Sequence, residues 1–421
     1  MSYNSYGAKI RGTTSKFFEK YGLAFVMVAS YFGSGSVFIA SQAGVQFGYL
    51  LVWAVVGAVF IGFIGQDMSA RLGIFGVPLM TFARRKLGTG GATVLAAILS
   101  VGCVAWALEL TAAVGTGISI LLGGVVGWQP LAVLSGALAI VVGIQNYDGV
   151  ERIMTAMMIA LLAIYVTVAG VSSPSLSSIA AGFVPSLPGG SLTLAAAIIG
   201  TTALWPNFFL ESNLVEEKGW TSAADLPSVR RDLGIGYLVG GATTVAIIVV
   251  AAAILRPAGY TSLETFITPG RALAEVLGDW AMVMFLLGTV AAAFNSIVPI
   301  MWTPAYLFQH ARGRTADPGS REFKLIYAVG VAIGSLSPLV NEFAGLSVID
   351  MIILFPAYNG IVSLPIAAVL LFWAVNDRET MGEHKNSLRM ALVNASLVLL
   401  SIYLAATSLP GFVETVTSGG F

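Results

Sequence analysis

Histidine and cysteine are nearly missing from these 421 residues, which hold two of the former and one of the latter. A single cysteine excludes an intrachain disulfide framework, and Cys103 falls in an apolar run, where a buried, inert thiol is expected. Charge is scarce too, at 10% of residues, against roughly 25% for a soluble globular chain. Lys+Arg and Asp+Glu balance at 21 each, so no basic excess points to nucleic acid. His310 and His384 both fall in predicted connections, which leaves no intramembrane histidine for metal ligation or catalysis. With no H-E-x-x-H, no credible Ser/His pair and no cofactor fingerprint, neither an enzyme nor a bound cofactor is expected. What is abundant is apolar surface: 57% hydrophobic residues and a mean hydropathy of +0.87 describe a polytopic chain embedded in a lipid bilayer.

Apolar windows of about 18 residues or more predict an all-α protein with eleven spans: 22–46, 48–68, 91–122, 129–145, 152–171, 193–215, 233–255, 279–309, 325–340, 347–374 and 388–407. The third and eighth are overlong and must tilt or protrude. The polar stretch 1–21 precedes the first span without a cleavage signature, so it reads as a tail before a retained span. Placing it in the cytoplasm puts 19 lysines and arginines inside and leaves Arg256 and Arg271 outside. That split predicts an inner-membrane orientation with a cytoplasmic N-terminus and an external C-terminal tail, 408–421. The longer connections 172–192 and 256–278 read as surface loops.

Two spans carry interruptions. Span 1 contains Gly33-Ser34-Gly35-Ser36 and span 6 contains Leu204-Trp205-Pro206-Asn207, with five spans between the two starts. Small residues in one span alone serve close packing, and one proline alone a kink. A matched pair predicts an inverted-repeat secondary transporter whose site lies between the breaks, with repeats at 22–171 and 193–374 and span 11 at 388–407. Unwinding would bare N–H groups near Gly35 and carbonyls near Ala203.

The motifs "QAGVQFGYLLVWAVV", "SARLGI" (69–74) and "NDRETMGEHKN" (376–386) resemble the NRAMP family over nearly the whole chain. That resemblance implies the leucine-transporter-type fold, a 5+5 inverted repeat with helices 1 and 6 broken, and proton-coupled uptake of divalent transition metals. The usual ligands differ here. The family's "DPGN" aligns with Gly33–Ser36, so its aspartate becomes Gly33 and its asparagine Ser36. Its "GATVMPHN" aligns with "GTTALWPN" (200–207), turning methionine into Leu204, proline into Trp205 and histidine into Pro206, and keeping Asn207. A second family histidine lands on Glu211, and in span 3 an aspartate becomes Glu109 and a glutamate Ala112. The family's span 10 glutamine falls on Ala357, leaving Tyr358 and Asn359 as lining candidates.

With Gly33 in place of a carboxylate, the break resembles the anion-accepting helix end of the amino acid/polyamine transporters, which share this fold. The expected cargo is therefore a small organic solute bearing a carboxylate, moved with protons or sodium by a monomer. Divalent metal transport stands as the alternative, and a non-transporting sensor on the same scaffold as a second. The expected substrate site comprises Gly33, Ser34, Gly35, Ser36, Ala203, Leu204, Trp205, Asn207, Phe208 and Asn359. Glu109 and Glu211, intramembrane carboxylates, are assigned proton or ion coupling, or contact with a substrate ammonium.

Overall fold

Hydrocarbon tolerates backbone only where its N–H and C=O groups are paired within the segment or buried in protein, so apolar runs of this length become helices. The computed structural model describes residues 22–263 and 268–417, and every regular element among them is helical. Span 1 is α1 (Gly22–Tyr31) and α2 (Ser34–Phe47), bent by 67°. Spans 2 to 5 are α3 (Val52–Phe75), α4 (Leu79–Leu121), α5 (Trp128–Gly143) and α6 (Tyr147–Val171). After a short α7 (Leu176–Gly182), span 6 comprises α8 (Leu192–Thr202) and α9 (Trp205–Glu217). Span 7 is α10 (Leu226–Val250) with a π-helical turn, Ala251–Leu255; α11 (Thr268–Leu277) leads to span 8, α12 (Asp279–Ala311). Span 9 is α13 (Arg321–Gly334) with α14 (Ser337–Ala344). Span 10 is α15 (Val348–Tyr358), a π-helical turn (Asn359–Ser363) and α16 (Leu364–Asn376). A short α17 (Arg378–Met381) precedes span 11, α18 (Leu388–Thr417).

Nine of the described helical segments are long and apolar enough to cross a membrane and the bent pair α1–α2 is a tenth; α5, expected as span 4, is apolar but only 16 residues long. The overlong third span has a local cause. Gly88 takes φ 72° inside α4, a left-handed conformation that glycine adopts without steric cost, so 79–87 forms a separate segment. The connections 172–192 and 256–278 are not plain loops, since α7 and α11 form within them. Residues 408–417, expected as tail, continue α18. The N-terminal tail 1–21 and residues 418–421 lie outside the described residues.

Small residues set how closely the helices approach. On α3, Gly62, Gly65 and Gly73 lie against Tyr237, Phe208 and the Ser212 carbonyl. The Ser69 hydroxyl, on the same helix, donates to the Phe208 carbonyl at 2.5 Å. Asp67 of α3 pairs with Arg230 of α10 at 2.7 Å. Glu151 of α6 pairs with Lys218, at the end of α9, at 3.1 Å, the two side chains being 7% and 8% exposed. Three further acidic residues at or near span ends, Asp67, Glu151 and Asp232, are buried as well. His310 belongs to the last turn of α12, not a connection, and meets Asn213 at 2.6 Å.

Candidate transport site

Both expected breaks are present, and both are shorter than the sequence suggests. In span 1 the interruption is Phe32-Gly33, with Gly33 capping α2 in extended conformation (φ −101°, ψ −170°), so Ser34, Gly35 and Ser36 are already helical. In span 6 it is Ala203-Leu204; Trp205 opens α9, and Pro206 sits in its first turn, where its missing N–H costs nothing.

Carbonyls at the end of α1, two of them without helical partners, are met by side chains. Ser36 donates to the Tyr31 carbonyl at 2.9 Å, Ser296 of α12 to Ala29 at 2.7 Å, and the Asn207 amide of α9 to Met27 at 3.0 Å. Donating through Nδ2 orients Asn207 so that its Oδ1, buried, has no hydrogen-bond partner among the described residues.

At the start of α2 the Ser34 hydroxyl donates to the carboxylate of Glu109, a buried side chain on α4. A carboxylate therefore does stand at the break, delivered from span 3 instead of from position 33. Gly33 itself has little room for one: a Cβ there would lie 3.0 Å from Leu110 Cδ2 and 3.2 Å from Ser296 Oγ. Gly35 is different, for it is buried and a Cβ on it would meet no described atom within 4 Å, so space adjoins the first turn of α2.

Above this level, three spans are tied together. Trp205 Nε1 donates to Asn359 Oδ1 at 2.9 Å, and Asn359 Nδ2 donates to the carbonyls of Gly102 and Phe355 at 3.0 Å each. Asn359 begins the π-helical turn of span 10, a distortion that recurs at functional sites. Trp106 stacks on Trp205 with ring centroids 6.2 Å apart.

Of the sequence-derived site residues, the fold thus joins Ser34 to Glu109, Trp205 to Asn359 and Asn207 to α1. Ala203 and Leu204, both buried, form the span 6 break. Phe208 goes elsewhere, its ring filling the space opposite Gly65 of α3. Glu211 is fully buried. Sequence reasoning missed Ser296, Trp106 and Gly102. Ser296 was findable, since "NS" (295–296) is a polar pair inside an apolar span; the other two carry no signal of their own. Among the described residues no group of three His, Cys, Asp or Glu side chains is placed to hold a metal ion. A cation at this break would meet one carboxylate and neutral oxygens.

The family model described as natural resistance-associated macrophage protein-like matches residues 24–410. A protein of Yersinia enterocolitica named divalent metal cation transporter MntH is 27% identical over 394 residues, covering 91% of this chain and 93% of its own length. Its namesake in Pectobacterium carotovorum is 25% identical over 410 residues, covering 94% and 97%. Among solved structures, the manganese transporter of Eremococcus coleocola, crystallised with an aromatic bis-isothiourea compound, superposes with TM-score 0.79 at 16% identity over 96% of this chain and 89% of that one. The nucleobase-cation-symport transporter Mhp1 gives TM-score 0.64 at 17% identity over 94% and 93%. These likenesses establish the leucine-transporter-type fold. They also overturn the expected organic solute, because the relatives that run nearly the whole length of the chain are named for divalent metal cations. The physical premise of that expectation fails at the same place. The end of α2 is no bare anion acceptor, since Glu109 faces it.

Proposed function

The chain belongs to the natural resistance-associated macrophage protein-like family, and from that premise we propose that it moves divalent metal cations across the cell membrane, coupled to protons. The observation that carries this reading is the Glu109 carboxylate at the start of α2, bonded to Ser34. A divalent ion needs at least one anionic oxygen, and Glu109 supplies it where Gly33 does not. The Oδ1 of Asn207, without a hydrogen-bond partner among the described residues, and the Ser34 hydroxyl are the neutral oxygens that complete the protein's share of the shell. With Leu204 where the family keeps methionine, this set holds no sulfur, so it favours ions content with oxygen, manganese and magnesium, over softer ones. The charge distribution supports a cytoplasmic N-terminus, and the spacing of the breaks supports repeats at 22–171 and 193–374, working within a single chain.

The test is uptake of manganese and magnesium into liposomes carrying the full-length protein, with and without an inward proton gradient. Glu109→Gln keeps the shape and removes the charge. Uptake by the native chain that disappears in this variant supports the assignment; uptake that survives it at the native rate overturns it.

A further inference from the structure

One turn beyond Asn207, on the side assigned to the cytoplasm, Glu211 is fully buried, and neither carboxylate oxygen has a hydrogen-bond partner among the described residues. Asp232 of α10, also fully buried, has no side-chain donor among the described residues, meets the Ala24 backbone N–H of α1, and lies within electrostatic reach of Glu211. Two further buried polar side chains of α3 and α10 lack hydrogen-bond partners among the described residues. The Tyr237 hydroxyl of α10 is buried, without a partner among the described residues, and lies over Gly62 of α3, where a Cβ would come within 2.6 Å of it. Gln66 of α3 is fully buried with neither amide atom hydrogen bonded to a described residue. It shares a helical face with Gly62, Ser69 and Gly73, and the latter two touch α9 at Phe208 and Ser212, on either side of Glu211. Buried polar side chains without hydrogen-bond partners among the described residues thus come from α9 and α10 and from α3, on which both pack.

The other charged groups around Glu211 and Asp232 are already engaged. Asp67 pairs with Arg230, Lys218 pairs with Glu151, and Arg71 donates to Asn386 and to the His384 carbonyl. Tyr31 and Tyr147 add neutral phenols. Lys218 also reaches Asp232, so three buried carboxylates, Glu151, Glu211 and Asp232, share its ammonium, and ionising all three would carry a large desolvation cost on top of their repulsion. A proton on Glu211 or Asp232 relieves both.

We propose that Glu211 and Asp232 hold one proton between them and release it to the cytoplasmic side. This rests on the proton-coupled reading above and adds a second proton station, separate from Glu109. The step is a simple one: a carboxylate takes up H+ to become the neutral acid, then returns it to water once the site opens.

Infrared spectroscopy of the full-length protein in lipid reads the neutral carboxyl directly and without cargo. At neutral pH, native protein should show a protonated carboxyl band that is lost in Glu211→Gln and weakened in Asp232→Asn, because removing the neighbouring charge lets Glu211 ionise at lower pH. Glu211→Asp should retain it. A Glu211→Gln spectrum with the band at full strength overturns the proposal, and if that variant does not purify as a single species, an unchanged Asp232→Asn spectrum does so. In liposomes, Asp232→Asn should shift the pH of half-maximal manganese uptake down by about one unit; an unshifted profile likewise overturns it. Native protein that moves no metal would instead refute the functional reading, while the infrared spectra would still decide on the carboxyl pair.

Discussion

Ser34, at the first position of α2, donates its hydroxyl hydrogen to Glu109 of α4, 75 residues further along the chain. Hydrogen bonds to charged groups contribute roughly 1.5–3 kcal/mol, so this contact fixes the carboxylate at the helix break. Ser34→Ala should leave the fold intact and raise KM for manganese by about tenfold or more, measured beside native protein in liposomes.

Space at Gly35 yields a separate test. A Cβ added there meets no neighbouring described atom within 4 Å, so a small side chain fits and Gly35→Val should express and melt near the native temperature. If that space holds the cargo, the same variant should lose most of its metal uptake. Native uptake rates in Gly35→Val would show that the ion passes elsewhere.

Trp205 and Asn359 join spans 6 and 10 through a buried hydrogen bond of 2.9 Å. Trp205→Phe keeps an aromatic ring but strands the Asn359 oxygen, at a cost of about 1–3 kcal/mol. The Tm in detergent should fall, and the same substitution should cost less in an Asn359→Leu background, where the oxygen it strands is absent.

Glu151 and Lys218 bridge spans 5 and 6 with both side chains almost fully buried. Losing one partner of such a pair costs roughly 3–5 kcal/mol, because the other is left as an unpaired buried charge. Lys218→Met should therefore destabilise more than the double variant Glu151→Gln/Lys218→Met. Thermal unfolding of the four proteins in this cycle measures the difference directly.

The number of spans and the places of both breaks were legible because they rest on composition and local chemistry: apolar length, glycine with serine, and proline next to asparagine. The extent of each break was not. Ser34 to Ser36 read as unwound, yet Ser36 turns its hydroxyl back onto the Tyr31 carbonyl and the helix restarts one residue after Gly33. The site was misread for a different reason. Position-by-position comparison reveals that Gly33 has lost a carboxylate, but not that Glu109 on another helix supplies one, since that depends on how α2 and α4 meet. Asp232 and Gln66 escaped notice because each lies close to a predicted span end, where polar residues are ordinary. Only the packing of α3, α9 and α10 shows them enclosed.

The last turn of α1 hangs from three neighbours, α2, α9 and α12, by one side-chain donor each. If each thread contributes about 1 kcal/mol net, the arrangement with all three broken is occupied by somewhat under one molecule in a hundred. A helix moored that way is idle most of the time yet never locked, and a single proton or ion that favours the unmoored geometry suffices to tip it.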